Sequence, residues 1–418
     1  MEELRITGGK PLRGQLRIQG AKNAILPVLA ASLLSTEPIV LNDAPPLVDV
    51  CNMLKIMEDL GCVICHNGMQ IQINPQNAHE HRVSESLAHE MRSSIFLLGP
   101  ILSRHGKAVF TYPGGCDIGL RPIDLHLKGL RALGVFIEEK DGFIICNTDG
   151  LRGADVHLDY PSVGATENII MAAAVSKGTT TIYNAAKEPE IVELQAFINA
   201  MGGCVTGAHT GIVTITGVNR LHGGAYAVMP DRIVAGTMMI AVAMTAGEAL
   251  FSNIIENDIQ PVIAALREMG CDITVKNQTL ALRAPDRLKS FNVVKTQPHP
   301  GFPTDLQAPI MAAACVAEGT AVIIENIFEN RFRHVAQLTR MGANVMVEGR
   351  TAIVRGTRQL NGAKVEAEDL RAGAALVLAG LCAKGETVVR GVPLIDRGYW
   401  KIEEQLTQLG ADIKRKES

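Results

Sequence analysis

A short signature recurs six times along this chain of 418 residues and limits the folds that the chain can adopt. In each copy, a helical pattern ends in Leu-Gly or Met-Gly and a β-branched stretch follows. The copies lie about 70 residues apart, at Leu60-Gly61, Leu133-Gly134, Met201-Gly202, Met269-Gly270, Met341-Gly342 and Leu409-Gly410. Such a glycine suits the left-handed position that ends a helix. Solenoid repeats are shorter, so the pattern predicts six subdomains, each with two helices and several strands.

A second signature also occurs once in each subdomain. It is an Ala-rich apolar helix followed by a break and a β-branched strand, and it covers 24–36, 95–106, 168–178, 233–247, 308–319 and 372–385. The stretches 238–244 and 311–317 have no polar face, and a helix that is apolar all round is buried. The helix pattern at 262–269 is amphipathic instead. We therefore expect helices in the interior, with sheets and amphipathic helices outside, and more than one domain for this length.

Composition excludes several classes of protein. The net charge is −3 and aromatic residues make up 4%, which disfavours binding to nucleic acid. The start of the chain lacks the apolar segment of a signal peptide, and the apolar runs are too short to span a bilayer. The nine scattered cysteines favour a reducing cytoplasm, and Cys62 and Cys65 are interpreted as core residues because no second pair completes a metal site.

Cations stand close to the starts of several predicted helices. Ser162, Thr304 and Asp258 at such positions are explained by capping alone. Capping does not explain cations at such positions, because a cation opposes the positive end of the helix dipole. The cations in this sequence are Lys22, Arg92, Arg121, Arg331, Arg371 and Arg397. Their recurrence predicts a cleft that binds phosphate-like anions. No P-loop, Rossmann glycine motif, GxSxG or HExxH is present.

The segment from Pro113 to Pro122 combines three glycines with Cys116 and Arg121. It has no hydrophobic period, so it is predicted to be a surface loop, either a mobile turn with an incidental cysteine or part of a site. Because it leads into one of the outer helices beside a predicted anion cleft, the second interpretation is favoured. His126, four residues past Pro122, is a candidate residue of the same cleft.

These motifs resemble, in order along nearly the whole chain, those of the enolpyruvyl transferase family, in particular the members that act on UDP-N-acetylglucosamine. The matching motifs are Gly20-Ala21-Lys22-Asn23-Ala24, the loop 113–122, Ser162-Val163-Gly164-Ala165-Thr166, Pro230-Asp231-Arg232, Phe302-Pro303-Thr304-Asp305, Glu329-Asn330-Arg331-Phe332, Asp369-Leu370-Arg371-Ala372 and Asp396-Arg397-Gly398-Tyr399. The resemblance implies an α/β fold, a two-domain inside-out α/β barrel (α/β prism) with three repeats in each domain. The domains would comprise 22–229, carrying the Cys loop, and 1–21 plus 230–418, with the active site in the cleft between them.

The resemblance also implies roles for individual residues. Lys22, Arg121 and Arg397 would contact the phosphate of phosphoenolpyruvate, with Arg331 and Arg371 nearby. Asn23, Arg92, Asp305 and Ile327 would face the amino sugar. The uridine and diphosphate would lie against Arg121, Pro122, Ile123, Asp124, Leu125, Ser162, Val163 and Gly164, and His126 and Asp369 complete the expected substrate-binding set. Three residues depart from patterns common in the family, namely Phe96 for tryptophan, Tyr160 for lysine and Leu394 for histidine.

The implied reaction transfers the enolpyruvyl group of phosphoenolpyruvate to the 3-hydroxyl of UDP-N-acetylglucosamine, in cell wall synthesis, without metal or organic cofactor. Cys116 would act as the general acid and Asp305 as the base, with Lys22 and Arg397 completing the catalytic set. Cys116 can rest as a free thiol or as an adduct with phosphoenolpyruvate. The alternatives are a 3-phosphoshikimate 1-carboxyvinyltransferase, which lacks the long Cys loop, and a non-catalytic regulator that binds nucleotide sugars. The sequence leaves the oligomeric state open, with a monomer as one outcome.

Overall fold

The structure is a computed structural model that describes residues 2–114 and 122–417. Its helices are α1 Lys22–Ala31, α2 Val48–Asp59, α3 Glu85–Glu90, α4 Leu98–His105, α5 Asp124–Ala132, α6 Val163–Ala173, α7 Pro189–Ala200, α8 Arg232–Met244, α9 Glu256–Glu268, α10 Gln307–Val316, α11 Val335–Arg340, α12 Leu370–Cys382, α13 Val392–Ile395 and α14 Ile402–Gln408. Short 3-10 helices cover Ser32–Leu34, Arg92–Leu97 and Thr304–Leu306.

The strands are short, mostly of three to six residues. They are β1 Glu2–Thr7, β2 Arg13–Arg17, β3 Ile39–Asn42, β4 Val63–Asn67, β5 Gln70–Asn74, β6 Lys107–Thr111, β7 Phe136–Lys140, β8 Phe143–Asn147, β9 Asp155–His157, β10 Thr179–Tyr183, β11 Cys204–Thr206, β12 Ile212–Thr216, β13 Gly224–Ala227, β14 Glu248–Ser252, β15 Asp272–Lys276, β16 Thr279–Arg283, β17 Val293–Lys295, β18 Thr320–Ile324, β19 Asn344–Glu348, β20 Thr351–Arg355, β21 Lys364–Glu366, β22 Glu386–Arg390 and β23 Asp412–Glu417.

The described residues divide into two compact units. Unit 1 comprises 2–19 and 230–417, and unit 2 comprises 20–114 and 122–229. The resemblance placed the first boundary between 21 and 22 instead of between 19 and 20, and the second between 229 and 230. The active-site cleft expected between the domains stays a prediction.

Each unit contains three sheets. The strand orders in unit 1 are β15-β16-β14-β2, β17-β18-β20-β19 and β21-β22-β1-β23; those in unit 2 are β13-β3-β5-β4, β11-β12-β10-β9 and β6-β8-β7. Every four-stranded sheet combines one parallel pair with antiparallel pairs, as in the parallel pairing of β2 with β14. In the three-stranded sheet, a parallel bridge between Arg82 and Val109 stands where the fourth strand would lie. The first strand of the chain pairs with the last, in register from Glu2 with Glu417 to Thr7 with Asp412.

The sixfold repeat is confirmed at the ends of the outer helices. Helices α2, α5, α7, α9, α11 and α14 each end two positions before one of the six repeat glycines. All six glycines have a positive φ, between 90° at Gly202 and 101° at Gly61. An L side chain is strained in this conformation, so glycine at this position ends the helix at little cost.

The apolar helices lie in the interior, as predicted. In α8 every residue from Ile233 to Met244 is buried, and in α12 every residue from Arg371 to Leu381 is buried. Helix α10 packs against both of them, so three buried helices form the centre of unit 1 and its three sheets surround them. None of the helices in the described ranges is long and apolar enough to cross a membrane.

Some local expectations are wrong. Arg331 precedes the first residue of α11 by four positions, and Arg397 lies between α13 and α14, so neither stands at a helix start. Only one cysteine of the Cys62–Cys65 motif is in the core: Cys62 is buried, whereas Cys65 lies on the exposed face of β4. The alternation of β4 places its odd-numbered residues outward, which the apolar composition of the segment does not reveal.

The side chain of Arg104 binds two chain segments of unit 2. The guanidinium of Arg104, near the end of α4, uses all five of its N–H groups on backbone carbonyl oxygens, those of Leu33, Ser35, Pro75, Gln76 and Ala78, at 2.6 to 3.1 Å. Leu33 lies in a short 3-10 helix, Ser35 follows that helix, and the other three residues lie in the connection after β5. Arg104 therefore satisfies polar groups that would otherwise need water.

Candidate functional site

Two groups of predicted site residues are described, one in each unit. In unit 2, Lys22 is the first residue of α1 and is almost completely buried. Its ammonium lies 2.8 Å from the Oδ2 atom of Asp49, in the first turn of α2. Asp49 is 2% exposed. The ion pair offsets the cost of burying both charges. Asn23 follows Lys22 in α1 and is half-buried.

The residues after the Cys loop form the second part of the unit 2 group. Arg92 begins the 3-10 helix before α4, and its Nη2 atom donates a hydrogen bond to the carbonyl oxygen of Pro122 at 3.4 Å. Ile123 is buried, while Asp124 is exposed at the first residue of α5 and Leu125 is half-buried. The cation Arg92 thus lies beside the segment that the family resemblance assigns to uridine and diphosphate.

The first turn of α6 forms the third part. The hydroxyl of Ser162 caps the helix by accepting a hydrogen bond from the backbone N–H of Ala165 at 3.3 Å. Val163 and Gly164 begin the helix and are half-buried, so the positive end of the helix dipole is accessible to an anion. A Cβ atom on Gly164 would lie 3.0 Å from the ring of His126 and 3.1 Å from that of Phe96. Glycine therefore permits a close approach between this turn and two rings.

In unit 1, Asp305 is bound by two arginines. It lies in the 3-10 helix before α10; its Oδ1 accepts from Arg331 at 2.7 Å and its Oδ2 from Arg371 at 3.1 Å. The arginine side chains are 4% and 2% exposed, and that of Asp305 is 23% exposed. Burial is the largest single influence and would lower the pKa of Arg371, but the charges of Asp305, Tyr399 and Asp231 together outweigh it and raise that pKa above its ordinary value. Three of the predicted site residues are therefore brought together.

Asp369 and Tyr399 complete the surroundings of these arginines. The Oδ1 atom of Asp369 caps α12 by accepting from the backbone N–H groups of Arg371 and Ala372 at 2.8 and 2.9 Å. It also lies 3.9 Å from Arg331. The guanidinium of Arg371 sits over the ring of Tyr399, 5.2 Å from its centroid, in a cation–π arrangement.

Glu325 is a site residue that sequence reasoning missed. It is 1% exposed, and its Oε1 atom accepts from the Thr296 hydroxyl and from the backbone N–H groups of Ile327 and Phe328, at 2.8 to 3.1 Å. Its Oε2 atom accepts from the hydroxyl of Thr304 at 3.0 Å. One carboxylate thereby connects the turn that carries Ile327 to the turn that carries Asp305. A charged residue at the end of a β-branched strand looks solvent-exposed in the sequence, so no signal distinguished it.

An ion-pair network holds the loop that carries Arg397. Asp396, the residue before it, accepts two hydrogen bonds from Arg415 on β23, both at 2.7 Å. Arg415 also pairs with Glu403 at 2.8 Å and with Glu2 at 3.1 Å. Arg397 itself is half-buried. Asp49 and Arg415 were not singled out from the sequence, because their importance lies only in what they contact.

Two predicted residues, Cys116 and Arg121, lie outside the described residues. Within the ranges that the structure does describe, no cluster of His, Cys, Asp or Glu has the composition of a metal site. The unit 1 group offers two guanidinium groups and a carboxylate, which suit an anionic ligand with a hydroxyl group. The unit 2 group offers an ammonium, a guanidinium and a helix N-terminus, which suit phosphates.

Known proteins of similar sequence cover nearly the whole chain. The profile of the EPSP synthase (3-phosphoshikimate 1-carboxyvinyltransferase) family matches residues 6–406. A protein of Caldanaerobacter subterraneus subsp. tengcongensis, UDP-N-acetylglucosamine 1-carboxyvinyltransferase 2, is 48% identical over 415 residues, 99% of this chain and 100% of its own length. The UDP-N-acetylglucosamine 1-carboxyvinyltransferase of Finegoldia magna is 47% identical, with 99% of each chain covered.

Solved structures establish the fold. The enolpyruvyl transferase NikO of Streptomyces tendae superposes with a TM-score of 0.90 at 23% identity, over 100% of this chain and 99% of the other. EPSP synthase of Acinetobacter baumannii superposes with a TM-score of 0.77 at 20% identity over the full length of both chains. With the sequence relationships above, these likenesses mean that the chain belongs to the enolpyruvyl transferase family, in the branch of the UDP-N-acetylglucosamine 1-carboxyvinyltransferases.

Proposed function

We propose that this chain transfers the enolpyruvyl group of phosphoenolpyruvate to the 3-hydroxyl of UDP-N-acetylglucosamine and releases phosphate, the first committed step of peptidoglycan precursor synthesis. The observation that carries the proposal is the carboxylate of Asp305 held between Arg331 and Arg371, at 2.7 and 3.1 Å. Relatives that share 46 to 48% of their residues with nearly the entire chain carry the name of this activity, which supports the choice of acceptor.

The chemistry needs a proton at the methylene carbon of phosphoenolpyruvate and an oxygen at the adjacent carbon. Cys116 supplies the proton, because a free thiol with an ordinary pKa of about 8.5 is mostly protonated at neutral pH. The sugar hydroxyl adds to the adjacent carbon and gives its proton to Asp305. Loss of phosphate and of a proton from the new methyl group then restores the carbon–carbon double bond as a vinyl ether.

Asp305 has the geometry for orienting the attacking hydroxyl. Each of its oxygens accepts a hydrogen bond from a guanidinium, so the orientation of the carboxylate is fixed for an approaching hydroxyl. Two positive partners favour the ionised carboxylate, the form that can accept the proton of the hydroxyl. The turn that carries Asp305 is further held by Thr304 and Glu325, so the carboxylate is oriented before substrate binds.

The phosphate is stabilised by cations. Lys22, Arg121 and Arg397 contact it and stabilise the charge that develops as it leaves. Asp49 holds the ammonium of Lys22, and the network of Arg415 holds the loop of Arg397 through Asp396. Asn23, Arg92 and Ile327 face the amino sugar, while 122–125 and 162–164 contact the uridine diphosphate. Cytoplasmic synthesis of the precursor agrees with the eight free cysteines among the described residues.

The deciding experiment is a phosphate-release assay with phosphoenolpyruvate and one of two acceptors. We expect release with UDP-N-acetylglucosamine and none above background with shikimate 3-phosphate, with the enolpyruvyl product identified by mass spectrometry. Release with shikimate 3-phosphate alone would assign the other branch of the family. Binding of UDP-N-acetylglucosamine without release of phosphate would favour the non-catalytic regulator.

A further inference from the structure

Asn168 connects three elements of unit 2 with one buried amide. It lies on α6, six residues past the Ser162 cap, and is 0% exposed. Its Oδ1 atom accepts a hydrogen bond from the backbone N–H of Gly99 at 2.9 Å. Its Nδ2 atom donates to the carbonyl oxygen of Ile95 at 2.8 Å and lies 2.8 Å from the Nδ1 atom of His126. Every polar atom of the side chain is therefore bonded.

The surroundings leave the amide a single orientation. A backbone N–H group can only donate, so the atom facing Gly99 must be the oxygen. A carbonyl oxygen can only accept, so the atom facing Ile95 must be the nitrogen. A Cβ atom on Gly99 would meet the carbonyl oxygen of Asn168 at 2.6 Å, so a residue without a side chain is needed at position 99 for α4 to come this close.

The amide in turn determines the state of His126. One of its two N–H groups is used on Ile95 and the other points at Nδ1, so Nδ1 must be an acceptor without a proton. The ring proton therefore resides on Nε2. A second proton is disfavoured because the ring is buried and Arg92 carries a positive charge nearby; together they lower the pKa of His126 to about 3.

The protonated nitrogen faces the first turn of α6. A Cβ atom on Gly164 would lie 3.2 Å from Nε2 of His126, so this nitrogen approaches the backbone where the helix begins. Among the residues that the structure describes, none accepts a hydrogen bond from Nε2, and Val163 and Gly164 beside it are half-buried. A neutral donor thus stands beside a helix N-terminus that favours anionic ligands.

We propose that Asn168 is a positioning residue that holds His126 as a fixed Nε2–H donor for an acceptor oxygen of the uridine diphosphate group. The inference rests on the proposed function for the identity of the ligand, and on the amide geometry alone for the state of the ring. Asn168 does not touch the ligand. It determines which nitrogen of His126 carries the proton, and hence whether the ring can donate towards the α6 turn.

The state of the ring is tested without any substrate. In histidine-labelled wild-type protein, nitrogen NMR should show Nδ1 of His126 unprotonated and Nε2 protonated across pH 6 to 8. The His126→Gln variant, which lacks this ring, identifies the resonances. A protonated Nδ1 in the wild-type protein would overturn the inference, whether or not the enzyme turns over the proposed substrates.

The role of Asn168 is tested with Asn168→Asp, which keeps the shape but offers only acceptors to His126. We expect the ring proton to move from Nε2 to Nδ1, so that Nε2 no longer donates, and the Kd for UDP and the KM for UDP-N-acetylglucosamine to rise by roughly ten- to a hundredfold, as for a lost hydrogen bond to a charged group. The kcat at saturation and the KM for phosphoenolpyruvate should change by less than about threefold, because only binding of the nucleotide is affected. Equal effects on both substrates would indicate a merely structural role and overturn the proposal.

Two further variants keep the test decisive if Asn168→Asp does not fold. His126→Leu should weaken UDP binding by the same factor, and His126→Gln, which retains an N–H donor at a similar reach, should recover part of it. No difference between these two would overturn the donor role. The matched control is Asn199→Asp, since Asn199 makes the same two-sided bridge, to the N–H and carbonyl of Val205 at 2.8 Å each, with no histidine. It should leave UDP binding unchanged. Lack of wild-type turnover together with normal UDP binding would refute the proposed function but not this inference.

Discussion

Replacing Asp305 by alanine separates its structural role from its chemical one. The substitution removes the acceptor of two guanidinium groups whose side chains are 4% and 2% exposed. Breaking a buried ion pair by removing one partner costs about 3–5 kcal/mol, because the other charge stays buried. The carboxylate is 23% exposed, so water can enter its place, and we expect the lower end of that range, about 3 kcal/mol.

This loss is large enough to measure by thermal unfolding. A domain of 150 to 250 residues shifts by roughly 2–4 °C per kcal/mol, so the transition that includes unit 1 should fall by about 6–12 °C. Inorganic phosphate should restore part of the difference, because two neighbouring guanidinium groups that have lost their shared carboxylate bind it well. The control is Glu329→Ala, which removes an ion pair with Arg350 of the same 2.7 Å length whose side chains are 47% and 46% exposed. We expect it to cost less than about 1 kcal/mol.

The kinetic consequence is independent of the stability loss. At a temperature where the variant is folded, Asp305→Ala should bind UDP-N-acetylglucosamine, while kcat falls by roughly 10²- to 10⁴-fold, the usual contribution of a general base. Unchanged kcat would remove Asp305 from the mechanism. An unchanged transition temperature would refute the argument that the two buried arginines depend on it.

Three other predictions follow from the described contacts and from the proposed chemistry. Cys116→Ala should abolish turnover at neutral pH while Cys116→Asp retains some, and normal turnover by the alanine variant would refute the acid assignment. Arg415→Met should lower kcat/KM for phosphoenolpyruvate by about tenfold or more, because Asp396 loses both of its 2.7 Å hydrogen bonds and releases the loop of Arg397; UDP binding serves as the unaffected readout. Glu167 is buried, and burial together with the charges of Glu190 and Glu188 raises its pKa well above 4.5. As the pH rises, the carboxyl group of Glu167 therefore ionises earlier in the unfolded chain than in the folded one. The stability that the neutral acid contributes below pH 4.5 is lost progressively as the pH rises from there to the pKa of Glu167 in the folded protein. Glu167→Gln should remove this loss, so its advantage over wild type in urea unfolding should grow with pH; a difference that is constant with pH would contradict it.

The sequence was most informative where a local rule controls the backbone. Gly61 and its five equivalents have the positive φ that a helix terminus requires, and that conformation depends on the absence of a side chain. The burial of α8 could be predicted equally well, because a helix without a polar face has no side to expose. Both features can be read within a dozen consecutive residues.

Only part of the candidate site could be predicted from the sequence. Lys22, Arg371 and Asp305 were identified because cations at helix starts and the family motifs mark them. Their contacts were not predicted: Asp49 lies 27 positions from Lys22, and Arg371 reaches Asp305 across 66 positions. Glu325 looked like an exposed end of a strand, yet it is buried and accepts hydrogen bonds from two separate turns. Such contacts depend on chain segments that are distant in sequence.

The amino-acid sequence by itself determined the sixfold repeat, the buried helices and the family, because these depend on hydrophobic period, backbone conformation and short motifs. The tertiary structure alone decided the electrostatic state of the side chains. His126 was a candidate from its place after Pro122, but its neutral state follows from burial, from Arg92 and from the amide of Asn168, which comes from another helix. The physical reason is that a proton's position depends on the donors, acceptors and charges within a few ångströms, and only folding brings those together.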